Sequence, residues 1–230
     1  MRVTSCLYCG GSALSPVTQR SDGIGILKCA ACGIMMVDRI SDTYEDLYTA
    51  EYFEKQKDTK SGYTSYLSSP VANMIGKYGF ARLFAREPGH HLDLGCADGS
   101  LIEIFANDGF ESRGLEISKA AIEIARTKGL DVRFSKLHGF PAGLPSSNAI
   151  TAFDLLEHAD RPRQVLKAVY DNLSHGGYLI FSTLSVKRED PSDFWFNHSL
   201  EHYVYYNQDN LTLVLTDIWG RQFLIYRSRS

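Results

Sequence analysis

A glycine-rich turn between a predicted strand and a predicted helix carries the strongest chemical signal in the sequence. Glycines at such a turn let a ligand approach bare backbone at a helix N-terminus. Glu116 ends the next predicted strand, where a carboxylate can bind ribose hydroxyls. This order of elements predicts a nucleotide-type cofactor site. The segment 91–99 reads HLDLGCADG, and its candidate cofactor-binding residues are Asp93, Gly95, Ala97 and Gly99.

The spacing of the glycines indicates which kind of cofactor the turn suits. Dinucleotide folds use G-x-G-x-x-G, in which the second glycine admits a pyrophosphate and the third packs helix on strand. Here Ala97 stands between Gly95 and Gly99, and Asp93 lies inside the strand end. A cofactor with a charged amino-acid tail fits better, because Asp93 can face the ammonium of that tail. A turn without a ligand is the alternative, and Glu116 argues against it.

Four of the five cysteines form two C-x2-C knuckles, Cys6 with Cys9 and Cys29 with Cys32, separated by 19 residues. This is the spacing of a four-cysteine zinc ribbon. Because all four thiolates would bind the metal, no position is left for water and the zinc is structural. Paired redox or disulfide knuckles are the alternative, although the sequence has no secretory feature. We expect Cys96 to be a small buried residue rather than a nucleophile.

The composition is that of a globular protein and narrows the choice of partner. Of the 230 residues, 44% are hydrophobic and 22% are charged, and the formal net charge is −3. No global basic field therefore attracts nucleic acid. The sequence has neither an apolar run long enough to span a membrane nor a signal-peptide pattern. We expect a cytoplasmic protein with one large domain and a small appendage.

Alternating strand and helix patterns predict an α/β fold with a mostly parallel sheet and helices on both faces. The predicted strands are 25–28, 91–95, 112–117, 132–136, 149–155, 178–183 and 222–226. The predicted helices are 70–85, 100–108, 118–128, 161–172 and 208–218. The glycines of 175–177 predict a helix stop ahead of the fifth sheet strand. We divide the chain into a zinc ribbon (1–40), an aromatic-rich linker or helical lid (41–80) and an α/β domain (81–230).

Several motifs resemble those of class I S-adenosylmethionine (SAM)-dependent methyltransferases, which have a Rossmann-like sheet. The turn at 91–99 resembles their first motif, Glu116 stands in their ribose-binding position, and FDLLEH at 153–158 resembles their fourth-strand motif. The resemblance implies SAM as cosubstrate. It also extends through the knuckles and the segments 48–53 and 201–206 to bacterial zinc-ribbon methyltransferases of deoxysugar, antibiotic and surface-glycan biosynthesis. The further cofactor-binding residues that it implies are Phe153, Asp154 and His158.

A Glu-His pair after the fifth sheet strand is the candidate catalytic group. The segment 201–206 reads EHYVYY, and sugar C-methyltransferases with the ribbon carry a similar Glu-His-x-x-Tyr segment near the transferred methyl group. The resemblance implies that His202 is the general base of an in-line displacement, oriented or aided by Glu201. In the alternative, the pair only anchors its loop to the last helix.

Two features depart from the family. The third sheet strand is usually followed by an acidic residue near the adenine, but here Ser135-Lys136-Leu137-His138 follows. The sequence also stops at Ser230, before the antiparallel hairpin with which such sheets normally end. We therefore expect an incomplete sheet edge through which the protein can associate with a partner copy.

The sequence thus predicts a methyltransferase for a small-molecule acceptor, such as a nucleotide-linked sugar or another biosynthetic intermediate. Carbon, oxygen and nitrogen acceptors stay open. One alternative is an RNA base methyltransferase that uses the ribbon as its substrate module, although the ribbon has few basic residues. Another is a SAM-binding or scaffold protein without turnover. A nicotinamide-dependent dehydrogenase is disfavoured, because the dinucleotide glycine pattern is absent.

Overall fold

A computed structural model describes residues 1–40, 70–186 and 201–219 of the chain. Most of the predicted linker or lid lies outside these residues, as does the predicted strand over 222–226. No helix within the described ranges is both long and apolar enough to cross a membrane.

The elements are numbered here in chain order. The strands are β1 (Leu14–Gln19), β2 (Gly25–Cys29), β3 (Met35–Val37), β4 (His90–Leu94), β5 (Glu111–Glu116), β6 (Val132–Phe134), β7 (Ser147–Phe153), β8 (Leu173–Ser182) and β9 (Val204–Tyr205). The helices are α1 (Pro70–Arg82), α2 (Ser100–Asn107), α3 (Lys119–Thr127), α4 (Pro162–Asn172) and α5 (Gln208–Trp219). A short 3-10 helix spans Leu156–His158.

The larger sheet confirms the predicted α/β fold. Its five strands lie in the order β6-β5-β4-β7-β8, and their pairings are parallel. From β4 the chain first moves outward to β5 and β6 and then returns to the other side with β7. In such sheets ligands bind at the carboxyl ends of the strands beside the point where this direction changes. That point lies between β4 and β7.

Buried strands and amphipathic helices explain why the sequence folds this way. Residues 91–94 of β4 are all buried, as expected for a strand that is covered on both faces. Helix α3 begins after Ser118, whose hydroxyl accepts a hydrogen bond from the Ala121 N–H, and it buries Ile122 against Ile102 of α2 and Val132 of β6. The N-cap and the apolar stripe both belong to the local sequence, so this unit was predictable.

The smaller sheet joins the N-terminal ribbon to the end of the described chain. Its order is β1-β2-β3-β9, and β9 pairs with β3 through Met35 opposite Tyr205 and Met36 opposite Val204. A strand that follows the α/β sheet therefore completes the sheet of the ribbon. One buried core continues through both parts, since Met36 and Tyr205 belong to the same cluster as Leu156.

The predicted end of the helix at Asn172 is confirmed, but the predicted start of the next strand at Tyr178 is wrong. Helix α4 ends at Asn172 and β8 begins at Leu173, so His175, Gly176 and Gly177 lie inside the strand. The cause is pairing with β7, which begins at Ser147 opposite Leu173 and contains a register shift. Gly177 is needed there for close backbone approach, because a Cβ atom would lie 2.9 Å from the carbonyl oxygen of Ser147.

Candidate cofactor and acceptor site

The turn after β4 passes through the left-handed region at three positions. The φ angles are 68° at Gly95, 48° at Ala97 and 79° at Gly99. Glycine adopts such angles without steric cost. At Gly95 a side chain would also collide, because a Cβ atom would lie 2.9 Å from Cδ1 of Leu155. The turn therefore starts α2 at Ser100, close to the carboxyl end of β4.

Glu116 holds this turn from the neighbouring strand. Its Oε2 accepts a hydrogen bond from the Ala97 N–H at 2.9 Å, and its Oε1 accepts from the N–H groups of Ile117 and Ser118 at 2.7 and 2.8 Å. Burial raises the pKa of Glu116, and these N–H groups oppose that rise. A carboxylate has about four acceptor sites. Glu116 therefore has capacity left for a ribose hydroxyl while it holds the turn.

A cleft opens beside the turn, and its lining carries charges of both signs, from Lys77, Asp93 and Asp98. Lys77 reaches it from α1, where its Nζ lies 2.9 Å from Oδ2 of Asp154 and 5.3 Å from the ring centroid of Phe153. An ammonium and a buried carboxylate in one cleft match the two charges of an amino-acid tail. The sequence did not mark Lys77, because its position depends on how α1 packs against α2.

Asp93 lies at the carboxyl end of β4 and is 5% exposed. The hydroxyl of Thr151, on β7, donates a hydrogen bond to Oδ1 of Asp93 at 2.6 Å. Burial raises the pKa of Asp93 to about 7, while Thr151 and the charge of Lys77 act in the opposite direction. The carboxylate is therefore poised to gain stability from a ligand that brings a positive charge.

A second group of polar residues gathers just beyond the carboxyl end of β7. The rings of His158 and His202 meet edge to face, with their centroids 4.8 Å apart. Glu157 lies beside them and accepts a hydrogen bond from Oγ1 of Thr183 at 2.7 Å. Burial raises the pKa of Glu157 to about 7 and lowers that of His158, against the effect of Glu201. Glu157 and His158 of the fourth-strand motif and His202 of the predicted catalytic pair thus form one buried cluster.

The ligand atoms of Glu157, His158 and His202 all lie within 4.8 Å of one another. Neutral imidazoles beside a carboxyl group can accept and pass on a proton. The same set is chemically able to hold a divalent cation. Glu201 and His202 are 8% and 3% exposed, so the pair belongs to the interior rather than to a surface loop.

The ribbon holds the segment that carries His202. Arg20 follows β1 and is 3% exposed, and its Nη1 donates to the carbonyl oxygen of His202 at 3.0 Å and to Oη of Tyr205 at 3.2 Å. Asp22 pairs with the same guanidinium at 2.5 Å. From the other side, the Tyr203 N–H donates to the carbonyl oxygen of Glu157 at 2.9 Å. These contacts hold both polar groups of the peptide bond between His202 and Tyr203.

Among the described residues, the four knuckle cysteines form the second cluster of side chains that could bind a metal ion. Their sulfur atoms lie within 4.8 Å of one another, with Sγ of Cys6 3.5 Å from that of Cys32 and Sγ of Cys9 3.6 Å from that of Cys29. Zn–S bonds of about 2.3 Å in a tetrahedron place the sulfurs ~3.8 Å apart. The donor set and its spacing therefore fit zinc. Cys96 lies apart, buried, where burial raises the pKa of its thiol.

An acidic residue does approach the segment that follows β6. Nε2 of His138 lies 2.6 Å from Oδ1 of Asp160, which comes from the loop after β7. The segment turns at Leu137, where φ is 65°, so β6 ends at Phe134 rather than at the predicted Lys136. Asp160 thus places a carboxylate beside this segment, although the local sequence has none.

The parallel sheet, its strand order and the glycine turn with an acid on the neighbouring strand define a Rossmann-like methyltransferase fold. A family model described as a methyltransferase domain matches residues 72–218, which is more than half of the chain. The chain therefore belongs to this methyltransferase family.

Curated relatives include the ubiquinone biosynthesis O-methyltransferase of Alkalilimnicola ehrlichii, which is 31% identical over 112 residues. That alignment covers 46% of this chain and 44% of the relative. The mitochondrial enzyme of the same name from Schizosaccharomyces pombe is 32% identical over 102 residues, 41% of this chain and 37% of the relative. The chain thus spans less than half the length of these two proteins.

Solved structures show the same fold. A SAM-dependent methyltransferase from Archaeoglobus fulgidus has a TM-score of 0.58 and 18% identity, over 73% of each chain. A plantazolicin methyltransferase in complex with a pentazolic desmethylPZN analog and SAH has a TM-score of 0.57 and 16% identity, over 78% of this chain and 76% of that one.

Proposed function

We propose that this methyltransferase transfers the methyl group of SAM to a small-molecule acceptor, with His202 as the general base. SAM supplies an electrophilic methyl group on its sulfonium. In this proposal Asp93 faces the ammonium of the amino-acid tail, Lys77 binds its carboxylate and Glu116 binds the ribose. The turn residues Gly95, Ala97 and Gly99 present backbone to the cofactor.

The observation that supports the proposal best is the position of two sites at neighbouring strand ends. The charged cleft lies at the end of β4, and the cluster of His158 and His202 lies beyond the end of β7, the strand next to β4. Phe153 and Asp154 lie between them in the chain and line or contact the cleft. An acceptor placed over the end of β7 would lie between a methyl donor and a proton acceptor. Positioning of this kind supplies most of the catalysis in a displacement reaction.

His202 suits the role of base because an acceptor hydroxyl or amine must lose its proton. Imidazole accepts a proton near neutral pH, and a positioned base accelerates such a step by about two to four orders of magnitude. His158 is held neutral by burial, which lowers its pKa, so it does not repel the proton that His202 would gain. The charge of Glu201 acts on the neighbouring His158, and the same attraction would stabilise an imidazolium at His202.

Nucleotide-linked sugars are the first acceptors to test. The ribbon and the Glu201-His202-Tyr203 segment resemble those of sugar methyltransferases, and the curated relatives are named as O-methyltransferases. The experiment incubates the protein with SAM and, in separate reactions, nucleotide-linked sugars, phenolic intermediates or an RNA fraction, and measures SAH by mass spectrometry. Acceptor-dependent SAH with a methylated small molecule supports the proposal. Methylation confined to an RNA fraction would contradict it.

We also propose that the ribbon holds one structural zinc through Cys6, Cys9, Cys29 and Cys32. Four sulfur ligands leave no open position for a substrate or a water molecule. The metal would therefore stabilise the ribbon and take no part in methyl transfer.

Lys77→Ala is expected to weaken SAM binding at least about tenfold, because a charge-assisted hydrogen bond contributes roughly 1.5–3 kcal/mol. Titration calorimetry with SAM measures the loss, and Lys77→Arg, which keeps the charge, should recover most of the affinity. Lys167→Ala is the matched control, since Lys167 pairs with Asp171 on the exposed face of α4. Equal SAM affinity in Lys77→Ala and Lys167→Ala would contradict the role of Lys77.

Arg20→Ala is expected to lower kcat about tenfold and leave the Kd for SAM within twofold. Arg20 holds the backbone of His202 but lies outside the lining of the charged cleft. Arg39→Ala changes another ribbon arginine whose side chain is 56% exposed, and it should leave kcat unchanged. A matching loss of SAM affinity in Arg20→Ala would instead indicate general destabilisation.

A further inference from the structure

We propose that His91 and Thr151 are positioning residues for cofactor binding, which orient a buried chain of hydrogen bonds so that its last proton is donated to Asp93. The proposal rests on the proposed role of Asp93 toward the ammonium of SAM. Residues inside the sheet, which do not line the cleft, would then determine how strongly Asp93 binds the cofactor.

The chain of hydrogen bonds crosses three strands of the parallel sheet. Nδ1 of His91, on β4, lies 2.7 Å from Oγ of Ser112 on β5. Nε2 of His91 lies 2.9 Å from Oγ1 of Thr151 on β7. The hydroxyl of Thr151 lies 2.6 Å from Oδ1 of Asp93, two residues along β4 from His91. His91 and Thr151 are 1% and 0% exposed, so water does not compete for these groups.

The chemistry of the groups gives the chain one direction. Ionised Asp93 can only accept, so the single proton of Thr151 is donated to it. Oγ1 of Thr151 must then accept from Nε2–H of His91. A neutral imidazole carries one proton, so Nδ1 accepts from the hydroxyl of Ser112. Each donor therefore points toward Asp93, and each bond strengthens the next.

The surroundings of His91 keep it neutral. Its ring stacks on Phe105 with a centroid distance of 3.7 Å and meets the edge of Phe110 at 6.5 Å. Burial is the cause that lowers the pKa of His91 to about 3. A histidine that stays neutral over the whole working pH range can keep one tautomer, which is what a fixed direction of donation requires.

The charges that face Asp93 come from several elements. Lys77 of α1 favours the ionised carboxylate, whereas Glu116 of β5 disfavours it, and the thiol of Cys96 in the turn stays protonated because burial raises its pKa. The hydrogen bond from Thr151 adds to the effect of Lys77. Loss of that bond should therefore raise the pKa of Asp93 above its value of about 7.

This arrangement predicts how SAM affinity depends on pH. Ionised Asp93 attracts the ammonium of SAM and protonated Asp93 does not, so affinity should rise from pH 5.5 to about 7.5. The α-amino group of SAM titrates as well, but this effect is common to all variants and cancels when they are compared. Asp93→Asn should bind SAM weakly and with little dependence on pH in this range.

The experiment measures the Kd for SAM by calorimetry between pH 5.5 and 7.5 in the full chain. Thr151→Val keeps the shape of the side chain and removes the donor, and it should lower affinity about tenfold at pH 7 and move the midpoint of the pH profile upward. His91→Phe keeps an aromatic ring and removes both hydrogen bonds. It should lower SAM affinity about threefold and also move the midpoint of the pH profile upward. His91→Gln restores a donor near the position of Nε2 and should recover the midpoint.

Two outcomes would overturn the proposal. One is an unchanged midpoint in Thr151→Val together with unchanged affinity at pH 7. The other is a loss of affinity in both His91 variants that parallels their loss of thermal stability at every pH, with an unchanged midpoint of the pH profile. That result would indicate a merely structural role for His91. If His91→Phe does not fold, the SAM affinity and the pH midpoint of Thr151→Val and Ser112→Ala still test the chain of hydrogen bonds. Wild-type protein that binds no SAM would contradict the proposed function instead.

Discussion

Replacement of His202 by glutamine is expected to lower kcat by about 100-fold or more and to leave the Kd for SAM within twofold. Glutamine is close to histidine in size but cannot accept a proton at neutral pH, and a general base contributes about two to four orders of magnitude. His202 lies beside His158 rather than in the lining of the charged cleft, so the cofactor site should stay intact. Turnover with an identified acceptor and calorimetry with SAM measure the two quantities.

His175→Gln is the matched control, because His175 is exposed on β8 and the substitution is chemically the same. It should keep the turnover of the wild type. The pH profile adds a readout that a structural role would not change: the acidic limb of kcat, which reports the base, should disappear in His202→Gln. Turnover near the wild-type level would show that Glu201 and His202 only anchor the segment to the rest of the fold.

Replacement of Cys29 by serine is expected to abolish zinc binding and to reduce turnover to background. Structural zinc contributes about 10–16 kcal/mol to the folding of zinc-finger peptides. The loss of zinc should also disturb His202, because β3 of the ribbon pairs with β9, which follows His202 closely in the chain. In addition, Arg20 of the ribbon binds the carbonyl oxygen of His202. The variant should therefore lose both the metal and the correctly held base.

Native mass spectrometry measures the metal content, and circular dichroism and SAM calorimetry measure what remains folded. Cys96→Ser is the matched control, since Cys96 is also buried but lies outside the sulfur cluster, and it should retain one zinc per chain. Retained SAM binding in Cys29→Ser together with lost turnover would show that the ribbon serves the acceptor side alone. Normal turnover without zinc would contradict the coupling between ribbon and base.

Much of the fold follows from local signals. The five parallel strands and the helices between them were predictable because their hydrophobic patterns, N-caps and glycine turns lie within short stretches of sequence. The glycines of 175–177 show where this fails. Their local signal is that of a helix stop, but pairing with β7 extends the strand through them, and pairing depends on residues far away in the sequence.

For the candidate site, the sequence by itself determined the chemical groups and their local spacing. The two C-x2-C knuckles, the turn of Gly95 and Gly99 and the acid at Glu116 all combine residues that are close in the chain. Such motifs act through backbone geometry that a few residues set on their own, which is why they could be identified without a structure.

The tertiary structure decided which distant groups meet. It placed Arg20 on the carbonyl oxygen of His202, 182 positions away, Lys77 in the cofactor cleft, and β9 in the sheet of the ribbon. It also aligned His91 with Thr151 and Asp93 across two strands. The physical reason is that these contacts depend on strand order and on the packing of whole elements, whose free energy is summed over many residues and is not carried by any short pattern in the chain.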